Sequence, residues 1–150
     1  MKVSLLIAVY KDIEALDLII QAMKTQTYKN FEVIVAEDND SDEMKEYIKN
    51  IKGIDVKHTF QKDLGIRKMR SLNNAIRISS GEYLVFIDGD CVPYSTFIEA
   101  HVKLSNKNTL ISGRRVNLGP KYSQKLRSKE LTSLELEKSF LWKFPSIAKD

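Results

Sequence analysis

The stretch Glu82–Pro93, "EYLVFIDGDCVP", sets five residues of high strand propensity, Tyr83 to Ile87, directly against two aspartates separated by one glycine. Asp88 and Asp90 place negative charge at the end of an apolar strand. Carboxylates that close repel one another unless a positive group lies between them or one takes up a proton. On an extended backbone, residues i and i+2 point to the same side. The spacing therefore predicts that both carboxylates face one site, with Gly89 letting a ligand approach the backbone closely.

Upstream, strands and helices alternate. Val3–Val9 is a nearly unbroken apolar run, as in a strand covered on both faces. Asp12 is placed to cap a helix with apolar positions Ile13, Leu16, Ile19, Ile20 and Met23. A second strand, Phe31–Ala36, runs into the acidic cluster "EDNDSDE", where Asp40 or Ser41 caps a helix carrying Met44, Tyr47, Ile48 and Ile51. A short third strand is predicted near Val56–Phe60. "DLGIRKMRSLNNAIRISSG" then reads as a helix with Ile66, Met69, Leu72 and Ile76 as its apolar stripe.

Downstream, Ser95 or Thr96 starts a helix through Leu104, and "NTLISG" reads as a fifth strand. This alternation argues an α/β domain with a mostly parallel central sheet over residues 1–120. Residues 121–150 form a separate helical tail. Leu131, Leu134, Lys138 and Leu141 predict one amphipathic helix there, broken at Pro145. Its stripe would pack on the sheet edge or cover another domain, a partner or a membrane surface.

Composition bounds the function classes. With 150 residues, 43% hydrophobic and 29% charged, the chain is globular rather than disordered. No apolar run reaches the ~20 residues of a membrane-spanning helix. The opening "MKVSLLIAVYKD" reads as a first strand rather than a signal peptide. One cysteine, Cys91, excludes an internal disulfide and fits a reducing, cytoplasmic compartment. Cys91 reads as a small residue beside the site, not a nucleophile, and His58 and His101 as structural. Net charge is +4, and Lys121–Asp150 holds seven Lys/Arg against four Asp/Glu. That surplus suits phosphates or peripheral attachment at an inner membrane surface. Nucleic acid is disfavoured, because no aromatic platform is interleaved with the basic residues.

In open parallel sheets, ligands bind beyond the carboxyl ends of the strands. Asp38, Asp88 and Asp90 are thereby expected to cluster beside Tyr10. A divalent cation would neutralise them, and hard oxygen ligands favour Mg²⁺ or Mn²⁺. Such sites are completed by substrate oxygens, which points to a diphosphate.

Four segments make the chain resemble a family: "VSLLIAVYKD", "FEVIVAEDNDSD", "GIRKMRSLNNAIRISSG" and "EYLVFIDGD". They are similar to the nucleotide-sugar-binding half of inverting family 2 glycosyltransferases of the GT-A fold, a Rossmann-like three-layer sandwich. The resemblance implies a nucleotide-sugar donor, such as a UDP-sugar, and a glycan or lipid-linked acceptor. It implies that Ala8, Val9 and Tyr10 border the base and that Asp38 accepts a hydrogen bond from it. One of Arg67, Lys68 and Arg70 reaches the diphosphate, Lys68 foremost. Asp88 and Gly89 lie by the ribose or metal, and Asp90 ligates the metal. Arg114 and Arg115 line an acceptor or phosphate side, or are simply exposed.

There are departures from the pattern. Ala8 stands where the family has proline, Glu37 replaces an aspartate, and Asn39 replaces a glycine. No E-D-like motif carrying the catalytic base follows Arg115, and "LELEKS" (Leu134–Ser139) reads as an exposed helix side. The base is expected outside this chain, as in a truncated domain. Two other readings remain open at this point: a nucleotide-binding domain without turnover, and a haloacid-dehalogenase-type phosphatase with Asp88 as nucleophile.

Overall fold

A computed structural model describes the backbone of residues 1–147 and the side chains of residues 1–140. The order is β1 (Val3–Val9), α1 (Ile13–Lys24), β2 (Phe31–Glu37), α2 (Asp42–Lys49), β3 (Val56–Thr59), α3 (Lys68–Ile78), β4 (Tyr83–Asp88), α4 (Phe97–Leu104), α5 (Pro120–Arg127) and α6 (Ser133–Ile147). The four strands form one all-parallel sheet in the order β3-β2-β1-β4.

The period-2 alternation of strands explains the layers. Val3, Leu5, Ile7 and Val9 of β1, with Val33 and Val35 of β2, pack against Leu16, Ile19, Ile20 and Met23 of α1, Met44 of α2 and Ile98 of α4. Leu6, Ile34 and Ala36 point the other way, onto Leu72 and Ala75 of α3. The central strands β1 and β2 are thus covered on both faces, and their near-continuous apolar runs follow from that, whereas the edge strand β4 leaves Phe86 exposed.

Helix starts follow their capping chemistry. Asp12 accepts from the Ala15 N–H at 2.9 Å, and Ser41 Oγ from the Met44 N–H at 3.0 Å. At the amino end of the sheet, Glu32 is fully buried, with Oε1 hydrogen-bonded and Oε2 offset by the ammonium groups of Lys57 and Lys2. It accepts from Ser4 Oγ at 2.6 Å and the Ser80 N–H at 2.7 Å, and pairs with Lys57 at 2.8 Å.

Three expectations are corrected. Residues 108–113 form no strand; the segment runs irregularly and Leu110 is exposed. Its short apolar run lies beyond β4, which stays the edge strand of the sheet. Of the stripe expected for α3, Ile66 and Met69 are 99% and 69% exposed; Leu72 is buried as expected, with Ser71 and Ala75 beside it. Ile66 precedes the helix, and a stripe counted from it is rotated off the sheet.

The tail is two helices rather than one, and α6 continues through Pro145 to Ile147. The side chain of Leu141 lies outside the described residues. Leu126 and Leu136 are buried with Leu18 of α1, Leu118, Leu131 and Phe140. The tail therefore covers α1 rather than the sheet edge. Arg127 bonds Asp12 at 2.9 Å and Glu14 at 3.2 Å, and Lys129 reaches Asp17 at 3.1 Å. Part of the basic surplus of residues 121–150 is spent inside the fold.

Candidate functional site

Parallel register puts the strand ends side by side. Ala8 pairs with both Ala36 and Asp88, and the Asp38 N–H donates to the Val9 carbonyl at 2.9 Å. Tyr10, Asp38 and Asp88 therefore leave the sheet at one edge, where α3 begins. Between them lies a cavity of about 460 Å³, lined among others by Ala8, Val9, Tyr10, Asp38, Lys68, Asp88, Gly89 and Asp90.

Asp38 is almost buried, and both its oxygens are engaged. Oδ1 accepts from Gln61 Nε2 and Oδ2 from the Arg67 backbone N–H, each at 2.6 Å. Each carboxylate oxygen has a second lone pair, so capacity for a ligand donor remains. Glu37 beside it is buried and faces elsewhere. It binds His58 Nε2 at 2.9 Å and accepts from the Ser41 N–H at 3.3 Å. His58 thus has a structural partner.

The aspartate pair forms by a turn, not by strand alternation. β4 ends at Asp88, and the Cys91 N–H donates back to the Asp88 carbonyl at 3.1 Å. The turn brings one ligand atom each of Asp88, Asp90 and Cys91 within 4.8 Å of one another. Gly89 is required by the fold itself: a Cβ there would stand 2.6 Å from the Ala8 carbonyl oxygen. The close approach at Gly89 is thus made first by β1. Burial pushes the Cys91 thiol up, away from nucleophilic character.

The charge at the end of β4 has partners. Lys68, the first residue of α3, places its ammonium on Asp88 Oδ1, and Arg115 Nη1 lies 3.8 Å from Asp88 Oδ2. Two cations, rather than a metal alone, offset Asp88. Of the three basic residues considered, Lys68 alone lines the cavity. Arg67 turns its guanidinium to the Lys62 carbonyl, and Arg70 is exposed.

Arg114 and Arg115 line a second cavity of about 630 Å³, which shares Asp90 with the first. Its walls are largely apolar, including Phe97, Leu126 and Leu136. Glu137 also lines it, against the expectation that "LELEKS" lies wholly on an exposed side. Glu137 accepts from the Ser95 N–H and Oγ, both at 2.8 Å, and so holds the approach to α4.

Sequence reasoning missed the far wall of the first cavity: Asp63, Gly65 and Ile66. Tyr10 Oη donates to Asp63 Oδ2 at 3.0 Å, and Lys11 Nζ reaches the same oxygen at 2.8 Å. Lys11 holds the Asp63 carboxyl below its usual range. Gly65, at φ +85°, was the only local sign of a shaped loop.

Comparison with known proteins agrees with this arrangement. The family model described as glycosyl transferase family 2 matches residues 4–147. An uncharacterized glycosyltransferase of Rickettsia bellii is 32% identical over 132 residues, covering 85% of this chain and 19% of that protein. An Escherichia coli UDP-Glc:alpha-D-GlcNAc-diphosphoundecaprenol beta-1,3-glucosyltransferase is 33% identical over 91 residues, 59% of this chain and 35% of its own length. The chain thus spans well under half the length of these relatives. Residues 1–349 of Staphylococcus aureus TarS share the fold at a TM-score of 0.60 and 16% identity, covering 79% of this chain and 41% of that one. With apolar strands delivering Asp38, Asp88 and Asp90 to one edge of a parallel sheet, and the family pattern matched along nearly its whole length, this chain belongs to glycosyl transferase family 2.

Proposed function

We propose that the cavity at the strand ends binds the nucleoside diphosphate of a sugar donor, and that the protein transfers the sugar to a hydroxyl acceptor with inversion. The observation that carries this reading is the convergence of Tyr10, Asp38, Lys68, Asp88 and Asp90 on one 460 Å³ space. Tyr10 and the backbone of Ala8 and Val9 border the base. Asp38, fixed by Gln61 and Arg67, accepts from an imide N–H, which favours a uracil base. TarS has been solved with UDP and with UDP-GlcNAc, which supports the same ligand class for this fold.

Asp88 and Asp90 fit a hard divalent cation, Mn²⁺ or Mg²⁺, since their oxygens approach one another and the site leaves room for substrate oxygens. Such an ion supplies charge stabilisation to the departing diphosphate. Lys68, and Arg115 beside it, bring positive charge to the same oxygens as negative charge develops there. A general base then removes the acceptor proton. Glu137, which lines the adjoining cavity, is committed to Ser95 and is not offered for that role.

The cavity behind Arg114 and Arg115 adjoins Asp90 and suits the acceptor side. A lipid-linked acceptor is favoured by the relatives from E. coli and Campylobacter jejuni, whose names carry undecaprenol acceptors. Action at the cytoplasmic membrane surface follows from such an acceptor. Among the described residues, no helix is long and apolar enough to cross a membrane.

Binding titration tests the donor reading. UDP should bind with Mn²⁺ present, and more tightly than ADP, since adenine has no imide N–H for Asp38. A chain that binds no nucleoside diphosphate at millimolar concentration would refute it.

A further inference from the structure

We propose that Asp63 is a positioning residue: it clasps segment 61–67 to the end of β1 and so presets the wall of the base pocket. The proposal rests on the donor reading above, but its structural half can be tested without ligand.

Segment 61–67 has little apolar packing to hold it. Leu64 is 70% exposed and Ile66 is 99% exposed. Polar bonds hold it instead, at three points. Its two ends, Gln61 and the Arg67 N–H, both bond Asp38 at the end of β2. Its middle is bonded through Asp63 to Tyr10 and Lys11 at the end of β1. Among the described residues, Asp63 carries the side-chain bonds that join the wall to the end of the first strand.

The same bonds orient Tyr10. Its ring is 55% exposed, so packing alone does not fix it. Asp63 holds the hydroxyl, and the Lys11 ammonium lies 4.6 Å from the ring centroid. Lys11 makes this contact with φ at +58°, a left-handed backbone that lysine rarely adopts. That turn brings the ammonium back over Tyr10 and onto Asp63. An exposed ion pair adds little to global stability. Its effect here is local, on a segment that otherwise opens easily.

The test compares Asp63→Ala, Tyr10→Phe and the double variant of the 150-residue chain. Tyr10→Phe keeps the ring and removes only its bond to Asp63. Without ligand, the amides of residues 61–67 should exchange with solvent roughly tenfold faster in Asp63→Ala, and by a smaller factor in Tyr10→Phe, which leaves the Lys11 bond to Asp63 in place, with the sheet unchanged in both. In titrations, UDP and uridine should weaken by the same factor as each other, about three- to tenfold in Asp63→Ala and less in Tyr10→Phe. The double variant should bind no more weakly than Asp63→Ala, because both changes break one clasp.

Unchanged exchange in Asp63→Ala overturns the proposal. So does a loss confined to UDP with uridine unaffected, which would put Asp63 on the phosphates. If exchange quickens while the unaltered chain binds neither ligand, the clasp stands and the donor reading falls.

Discussion

Lys68 and Asp88 meet at the cavity beyond the strand ends: the first side chain of α3 is paired with the last side chain of β4. This pairing answers how an apolar strand can end in adjacent carboxylates. The opposite charge comes from the next layer of the fold. A metal ion bound there would have to compete with an ammonium for Asp88. Lys68→Ala should therefore bind Mn²⁺ alone several-fold more tightly, yet bind UDP with Mn²⁺ about tenfold or more weakly. Equal weakening of both would show that Lys68 only supports the local fold. Calorimetry with and without nucleotide separates the two.

Gly89 should accept no side chain. A methyl group there would stand 2.6 Å from the Ala8 carbonyl, backbone against backbone. Gly89→Ala is expected to cost on the order of 1–3 kcal/mol of stability. It should also weaken metal-dependent nucleotide binding, because the turn that assembles Asp88 and Asp90 must shift. Denaturant unfolding measures the first effect and titration the second.

Glu32 couples stability to acid. Burial alone would raise its carboxyl pKa, but bonds from Lys57, Ser4 and Ser80 outweigh burial and bring it down to about 2. The folded pKa lies below the unfolded one, so the contribution is full above pH ~4.5 and is lost as pH falls through 2. It amounts to about 3 kcal/mol at neutral pH, from ~1.4 kcal/mol per unit. Glu32→Gln should lower stability at pH 7 by that order and flatten the acid limb between pH ~4.5 and ~2. Urea midpoints measured from pH 2 to 7 check it.

The tail should be held by apolar packing rather than by its charges. Leu126 is buried against Leu18, whereas the Arg127 pairs with Asp12 and Glu14 are substantially exposed. Leu126→Ala should cost about 2–4 kcal/mol. Arg127→Ala should cost under ~1 kcal/mol. The reverse order would return residues 121–150 to the role of a charged appendage, which a thermal melt decides.

Much of this was legible in the chain. Val3–Val9 and Phe31–Ala36 announce buried parallel strands because both their faces are apolar; Tyr83–Ile87 announces a strand too, but as the edge strand it buries only Val85 and leaves Phe86 exposed. Asp12, and Asp40 or Ser41, announce helix starts because short polar side chains cap there, and the structure chooses Ser41. The site followed from where such strands end. The rest depends on partners distant in sequence. Asp63 has no local pattern; only its bonds to Tyr10 and Lys11, more than fifty residues upstream, make it part of a wall. Glu137 reads as surface until Ser95 is seen beside it. The stripe on α3 misled because Ile66 belongs to the loop, and "NTLISG" misled because a strand needs a neighbour as well as a composition.

The central claim is that Asp88 and Asp90 join a divalent cation to the diphosphate of a bound nucleotide. Thermal stability with UDP, measured with and without Mn²⁺, in the unaltered chain and in Asp90→Ala, tests it most directly. At ~100 times Kd, binding adds about 2.7 kcal/mol, a rise of several degrees for a chain this size. The account predicts that rise only with both UDP and Mn²⁺ in the unaltered chain, and no dependence on Mn²⁺ in Asp90→Ala. A Mn²⁺-dependent rise that survives in Asp90→Ala would contradict it.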